Sequence, residues 1–442
     1  MSGALPSDVE LSSPSTFRSV NRSSQSVTPV QPAAPKKNNY GRCLFTILCF
    51  ISVVTFFVLV VAAFFWPSSP RPPVTDSLVS PPHKVKRKLI FAQILFRHGA
   101  RASGKGFSNP SFRSYFPRGK GQLTDRGFNH THLLGKFLRK RYVKTGFLDA
   151  RMHPKEMHWL ARQMDRCVQS GLVVGAAMFE SETVKHVNIP MFTNKKEYVL
   201  NKPFKCNKER EILREICPEL KSKRQYKKKK NSTYEDVIYQ KCIGPHKLFK
   251  NQSIHMAEIY INEYENGLPV PDVIRQNIEI IHEEYAKMTN FRSGVGKYYN
   301  ATRVRLRYGL LVNELITNLE NAWEEHKVAK TIKKLKVYST QDWVLTGVLD
   351  AFGVFQHVLK TGPKRDPGFN AMVIMELWQV DGKPVVKYYY KPEEVTLEDH
   401  KMNDLTNIVK NCSGSECPLE KFTKCCGMHR MNITQIEEVC GP

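Results

Sequence analysis

A short polar cluster, Arg97-His98-Gly99-Ala100-Arg101, has the clearest capacity for chemistry in this chain of 442 residues. It places one imidazole close to two guanidinium groups, and these groups repel one another when cationic unless an anion binds among them. Arginine forks match the geometry of phosphate oxygens. The imidazole is the group in the cluster that can act as a nucleophile at acidic or neutral pH. The cluster therefore predicts anion binding around a histidine nucleophile.

Two strands are expected to position this chemistry. An apolar run from 89 to 96 ends abruptly at the cluster, as is typical of a strand buried on both faces of an α/β sheet. Gly99 allows a tight turn there. A second apolar run, 335–340, ends in Gln341 and Asp342 and precedes an apolar helix. Ligands bind at the carboxyl ends of such strands, so we expect the two polar ends to meet. A helix cap is the alternative role for Asp342, and one carboxylate can do both.

Other patterns predict the elements around these strands. Thr124 is placed to cap a helix with apolar residues at helical spacing. Asp381-Gly382 is a turn signal between two strands, which predicts a hairpin. The remaining predictions are a strand at 157–160, a helix from Asp165, and a long helix over 303–323.

The first 87 residues predict a membrane anchor. Residues 43–66 are apolar and uncharged, and they exceed the roughly 20 residues that span a bilayer. A cleaved signal peptide is the alternative, but the long apolar core and the tail that precedes it favour a signal-anchor helix. Residues 1–42 are expected to be a disordered cytosolic tail, and residues 67–87 a Pro-rich stem.

Glycosylation sequons orient this anchor. One N-x-S/T pattern precedes the predicted span, at Asn21, and the others follow it. The C-terminal part is therefore expected to be lumenal or extracellular, in a lysosome, the Golgi or the cell surface. The downstream sequons begin at Asn129, Asn231, Asn251, Asn300, Asn411 and Asn432.

Cysteine usage agrees with an oxidising compartment. Of eleven cysteines, Cys43 and Cys49 lie in or at the predicted span, and Cys167 lies in a predicted helix. The other eight suit up to four disulfides. Zinc binding is the alternative, but the chain lacks paired zinc-ligand spacing.

The formal net charge of +26 favours acidic substrates, glycans or membrane surfaces as partners. Nucleic acid is not expected, because no zinc-finger, RNA-binding or basic-zipper pattern occurs.

Several of these strings together resemble the histidine acid phosphatase family. The cluster at 97–101 resembles its RHGxR motif, and the resemblance runs from about Lys88 to Cys440. It implies an α/β histidine phosphatase fold, with a mostly parallel central sheet flanked by helices and a smaller α-helical insert domain. The core would comprise 88–197 and 299–442, and the insert 198–298. The other supporting strings are Gly121–Gly127, Leu310–Ile316 and Cys412–Phe422.

The resemblance also implies a mechanism. His98 would form a phosphohistidine, Arg97 and Arg101 would hold the phosphate, and Asp342 would protonate the leaving oxygen. The substrate would be a phosphomonoester, with no metal or cofactor. The number of subunits stays open, with a homodimer as one alternative. Cys412 and Cys417 would form the family's short disulfide loop, and Cys217 would pair with Cys440.

Two positions depart from the family pattern. Gln341 stands where the family has a phosphate-binding histidine, and Leu160 stands where it has a phosphate-binding arginine. Arg162, two residues later, is the candidate replacement. We therefore expect a membrane-anchored acid phosphatase with an altered site. The alternative is a catalytically weak or inactive phosphatase-like ectodomain that binds anionic ligands or glycans.

Overall fold

The computed structural model describes residues 85–180, 189–193, 199–200, 206–221, 233–330, 333–396 and 402–441. The predicted tail, membrane span and most of the stem lie outside these residues, as do Asn21 and Asn231. Within the described ranges, no helix is both long and apolar enough to cross a membrane. The membrane anchor and the domain boundaries therefore stay predictions.

A central sheet of eight strands organises the described part of the chain, in the order β3-β2-β4-β1-β5-β6-β7 with β8 also paired to β6. Each strand predicted from the sequence lies in this sheet. The strands are β1 (Arg87–Arg97), β2 (Met157–Ala161), β3 (Met191–Phe192), β4 (Leu335–Thr340), β5 (Met372–Val380), β6 (Lys383–Lys391), β7 (Asn403–Asp404) and β8 (Cys417–Pro418).

The sheet is mixed, which corrects the expectation of a mostly parallel one. The pairings β3–β2, β2–β4 and β4–β1 are parallel, whereas β1–β5, β5–β6, β6–β7 and β6–β8 are antiparallel. The predicted hairpin accounts for the β5–β6 pairing. Asp381 and Gly382 adopt φ of 46° and 82°, which returns β6 alongside β5. The α/β class itself is confirmed.

Helices cover both faces of the sheet. Along β1, Phe91 and Leu95 face one hydrophobic cluster, while Ile94 and Phe96 face the other. This alternation explains the continuous apolar run, because a strand buried on both faces has no solvent side. The helices are α1 (Asp125–Leu138), α2 (Asp165–Phe179), α3 (Asn207–Ile216), α4 (Tyr234–Val237), α5 (His255–Glu265), α6 (Asp272–Gln276), α7 (Ile278–Ser293), α8 (Ala301–Lys327), α9 (Asp342–Ala351), α10 (Phe355–Thr361), α11 (Leu419–Lys424) and α12 (Ile433–Cys440).

The described parts of the segment between β3 and β4 are mostly helical. The described residues between the start of α3 and the end of α7 form a hydrophobic cluster of their own, with Ile238, Tyr239, Ile281 and Phe291 buried. Helix α5 also sends polar side chains toward the carboxyl end of β1, as described below. The boundaries predicted for an insert domain, 198 and 298, are not tested by this packing.

Four disulfides join the described cysteines: Cys206–Cys440, Cys217–Cys242, Cys412–Cys417 and Cys425–Cys426. The short loop at 412–417 is confirmed. The pairing of Cys217 with Cys440 is wrong, because these two cysteines lie near opposite ends of α3. Cys206 precedes this ten-residue helix and packs with Cys440, whereas Cys217 follows it, about 15 Å further along the axis. Cys167 is free and buried.

Candidate active site

The two polar strand ends meet. Strand β1 pairs in parallel with β4, and the register places Arg97 beside Thr340. His98 and Gln341 each come directly after this pair, so both lie at the carboxyl edge of the sheet. A backbone hydrogen bond from His98 N to the Thr340 carbonyl, 3.1 Å long, carries this pairing one residue further.

The imidazole of His98 is fixed in one orientation. Its Nδ1 lies 2.8 Å from the Gly99 carbonyl oxygen, and the side chain is buried. Because a carbonyl can only accept, Nδ1 carries the proton and the lone pair lies on Nε2. Gly99 permits this geometry: a Cβ there would lie 2.4 Å from Thr131 Oγ1 and 2.6 Å from the Gly127 carbonyl oxygen. Its N–H donates to Ser170 Oγ at 3.1 Å.

Burial and three nearby arginines keep this imidazole neutral. Burial is the main cause that lowers the pKa of His98 well below its ordinary value, followed by the positive charges of Arg166, Arg97 and Arg101. A neutral imidazole with a free Nε2 lone pair is the form that attacks an electrophile. The surrounding guanidinium groups thus favour both the nucleophilic form of the histidine and an anionic ligand.

Arg97 and Asp342 form an ion pair beside this histidine. Arg97 Nη2 lies 2.9 Å from Asp342 Oδ2, and Nη1 donates to the Pro367 carbonyl at 2.8 Å. The guanidinium carbon lies 4.3 Å from the ring centroid of Phe369. Asp342 is the first residue of α9, and its other oxygen accepts the N–H of Trp343 at 2.8 Å. The carboxylate therefore contacts the helix start and also faces the site.

Arg101 is held by a carboxylate that the sequence did not point to. Its Nη1 lies 2.7 Å from Oε1 of Glu258 in α5, and the other carboxylate oxygen, Oε2, accepts the Ser103 hydroxyl. Burial alone would raise the pKa of Glu258, but the charge of Arg101 and the hydrogen bonds from the Ser103 hydroxyl and the Gly104 N–H outweigh it and lower that pKa. The helical segment between the two halves of the core thus contributes a charged residue to the site.

Arg162 and Gln341 are brought together through a sulfur atom. Arg162 Nη1 and Gln341 Nε2 lie 2.8 Å and 2.9 Å from Met164 Sδ. Gln341 Oε1 accepts from Trp343 Nε1 at 2.8 Å, and the Arg162 guanidinium stacks 5.4 Å from that ring. Leu160 lies within β2, with its side chain in the core at 7% exposure. Arg162 directly follows this strand, so it is Arg162 that places a guanidinium group at the sheet edge.

Sequence reasoning missed two further charged residues. Arg166, the second residue of α2, donates from Nε to His98 Nε2 at 3.1 Å. The available signal was its place: α2 follows β2, whose carboxyl end lies at the same edge as that of β4. Asp366 has both carboxylate oxygens buried. Burial, with the charge of Asp342, raises its pKa to about 7, although Arg97 opposes this.

A cavity of about 290 Å³ opens beside these groups, lined by Arg97, Arg101, Asp342, Asp366 and Phe369. Its volume suits a phosphate with a small organic group. Ion pairs join the loops and helices at its rim. The pairs are Arg126–Glu394 at 2.9 Å, Arg365–Glu393 at 2.8 Å and Arg365–Glu265 at 3.6 Å.

Comparison with known proteins agrees with this geometry. The family model of the histidine phosphatase superfamily (branch 2) matches residues 88–391. A putative acid phosphatase 1 of Caenorhabditis elegans is 30% identical over 77% of this chain and 80% of its own length. Human prostatic acid phosphatase is 28% identical over 77% of this chain and 85% of its own length.

Solved structures support the same fold. The phytase of Klebsiella sp. ASR1 superposes with a TM-score of 0.51 at 13% identity, over 78% of this chain and 95% of the phytase. The implied fold is confirmed, and the acid phosphatase relatives support phosphomonoester hydrolysis. The chain therefore belongs to the histidine phosphatase superfamily, branch 2.

Proposed function

We propose that this protein hydrolyses phosphomonoesters through a phosphohistidine formed on His98 Nε2. The observation that carries the proposal is the 2.8 Å contact of Nδ1 with the Gly99 carbonyl, which leaves the lone pair on Nε2, in a site bordered by Arg97 and Arg101. In the first step the Nε2–P bond forms and the ester P–O bond breaks. The leaving oxygen takes a proton from the Asp342 carboxyl. In the second step water attacks phosphorus and gives a proton to the Asp342 carboxylate. The Nε2–P bond breaks as the new O–P bond forms, which returns the lone pair to Nε2 and releases inorganic phosphate.

The positive charges supply most of the expected rate enhancement. In phosphoryl transfer, charge spreads over the equatorial oxygens, and fixed donors aimed at them stabilise the transition state. Arg97 and Arg101 enter this role from ion pairs with Asp342 and Glu258. Asp342 must carry a proton to act as the acid, so its ion pair with Arg97 has to loosen. This requirement favours acidic pH.

The test uses His98→Ala and Asp342→Asn, with His153→Ala at an exposed histidine as the matched control. We expect His98→Ala to abolish turnover of an aryl phosphate. Asp342→Asn should slow substrates with poor leaving groups more than those with good ones. Quenching the wild type with alkaline detergent during turnover of a ³²P-labelled substrate should trap labelled protein, because the phosphorus–nitrogen bond of phosphohistidine breaks in acid and survives in base. Wild-type turnover by His98→Ala would remove His98 from the mechanism.

We also propose that residues 43–66 anchor the protein and that the catalytic part is lumenal or extracellular. Four described sequon asparagines are exposed: Asn129, Asn251, Asn411 and Asn432. Asn300 is partly buried and accepts the Arg303 N–H at the start of α8, so it should be modified least. Glycosidase treatment should increase the gel mobility of the expressed protein. Absence of a shift, with cleavage by a protease added to the cytosolic side, would reverse this orientation.

The second candidate function is an anion-binding ectodomain with weak or no catalysis. The specific observations are the neutral amide of Gln341, held by Trp343, and the carboxylate partners already bound to Arg97 and Arg101. Each partner competes with phosphate for its arginine. Phosphate binding without turnover of any aryl phosphate from pH 4 to pH 8 would favour this candidate.

A further inference from the structure

Arg166 touches the atom that the proposed mechanism uses as its nucleophile. Its Nε donates to His98 Nε2 across 3.1 Å, so the guanidinium occupies the lone pair that would attack phosphorus. Arg166 is the second residue of the 15-residue helix α2, whose N-terminus carries partial positive charge. This N–H donor has to leave His98 Nε2 before that nitrogen can react.

Among the described residues, Arg166 lacks the kind of carboxylate partner that Arg97 and Arg101 have. In the described chain, Arg97 and Arg101 form ion pairs with Asp342 and Glu258, whereas no carboxylate lies within ion-pair distance of Arg162 or Arg166. Burial, and then repulsion by Arg101, lowers the pKa of Arg166 to about 10. A partly buried guanidinium without an acidic partner is unfavourable unless an anion arrives.

The sulfur of Met164 accepts the hydrogen bonds that an anion could accept. Three donors converge on Met164 Sδ: Arg162 Nη1 at 2.8 Å, Gln341 Nε2 at 2.9 Å and Arg166 Nη2 at 3.4 Å. A thioether sulfur accepts hydrogen bonds only weakly. The three donors therefore have more to gain from a phosphoryl oxygen than from the sulfur.

We propose that Arg166 is a catalytic residue that binds the phosphoryl group, and that it covers the His98 lone pair when the site is empty. This proposal deepens the proposed function and depends on it. When a phosphomonoester enters, Arg166 Nε–H transfers its hydrogen bond from His98 Nε2 to a phosphoryl oxygen. The lone pair becomes free in the same event that brings phosphorus to it. Arg162, which donates to the same Met164 sulfur, supplies a second guanidinium group beside the phosphoryl group.

This arrangement gives the altered site a source of positive charge. Leu160 and Gln341 remove two contacts that the family resemblance implies, one of them an arginine. Two guanidinium groups replace them: Arg162 directly after β2 and Arg166 in the first turn of α2. Catalysis would then depend on an arginine at the start of α2 as well as on those at the end of β1.

The test compares Arg166→Met, which keeps length and removes charge, with Arg166→Lys, which keeps charge. Arg139→Met is the matched control, since Arg139 donates to the Met178 carbonyl outside the site. We expect Arg166→Met to bind inorganic phosphate about 10- to 100-fold more weakly in calorimetry, because a charge-assisted hydrogen bond is lost. Arg166→Lys should lie between this variant and the wild type. Phosphate affinity of Arg166→Met equal to that of the wild type would overturn the proposal.

Two NMR measurements add readouts that a merely structural role would not change. Arg166→Met should raise the pKa of the His98 imidazole, since Arg166 is the charge that lowers it most. In the wild type, the Arg166 Nε–H resonance, assigned by its loss in Arg166→Lys, should shift when phosphate is added. An unchanged resonance at saturating phosphate contradicts the proposal even if Arg166→Met fails to fold.

The outcomes separate this inference from the proposed function. If His98→Ala retains turnover, the phosphohistidine mechanism fails, and the catalytic role of Arg166 fails with it. If His98→Ala is inactive while Arg166→Met keeps wild-type phosphate affinity, the mechanism stands and the role of Arg166 fails alone.

Discussion

The buried carboxyl of Asp366 gives the sharpest prediction about pH. Its pKa of about 7 is raised by burial and by Asp342, against the opposing effects of Arg97 and the Thr289 hydroxyl. Tyr390 also lies close enough to respond to its charge. In the unfolded chain the carboxyl ionises near its ordinary value of 3.8, whereas in the folded protein it keeps its proton up to about pH 7.

The sign and size of the effect follow from this difference. The folded protein binds one more proton than the unfolded chain between about pH 4 and pH 7. The free energy of unfolding therefore falls as pH rises through that window, and the stability present at pH 4 is lost above pH 7. The difference in pKa corresponds to about 4 kcal/mol. Solvent around this half-buried residue reduces the expected loss to about 2–4 kcal/mol.

Asp366→Asn removes the titrating group and keeps its shape. We expect this variant to match the wild type at pH 4.5 and to be about 2–4 kcal/mol more stable at pH 8. The assay is urea denaturation of both proteins at pH 4.5, 6 and 8. Asp125→Asn, at a carboxyl that is 79% exposed, is the control and should keep the wild-type pH dependence. Parallel curves for the wild type and Asp366→Asn would refute the assignment of a raised pKa to Asp366.

Three other substitutions test the site. Gln341→His should tighten phosphate binding below the imidazole pKa of about 6.5, because a cationic donor replaces an amide. If the variant binds phosphate no more tightly than the wild type at either pH 5 or pH 7.5, this position does not face the anion. Glu258→Gln should lower the free energy of unfolding by about 3–5 kcal/mol, since the buried Arg101 loses its carboxylate, and chemical denaturation measures the loss. Gly99→Ala should reduce stability and turnover together, because the new Cβ would lie 2.4 Å from Thr131 Oγ1; a fully active, stable variant would contradict the crowding.

The sequence determined the elements whose signals are local. The apolar run at 89–96 is buried on both faces, Thr124 caps α1 with its side chain accepting the Gly127 N–H, and Asp381-Gly382 turns the hairpin. The loop at 412–417 closes by its own disulfide. These features depend on dihedral preference, side-chain periodicity or short chain separation, which neighbouring residues fix without help from the rest of the fold.

The tertiary structure decided which distant side chains meet. His98 and Arg166 are separated by 68 positions in the chain, and Arg101 and Glu258 by 157, yet each pair makes a direct contact. Cys206 and Cys217 lie at opposite ends of α3, and only the packing of α12 against the start of α3 makes Cys206 the partner of Cys440.

Parallel pairing of β2, β4 and β1 brings three strand ends to one edge, and the packing of α5 against that edge supplies Glu258. No local pattern encodes such contacts, because they depend on the register and packing of elements whose order in space differs from their order in the chain.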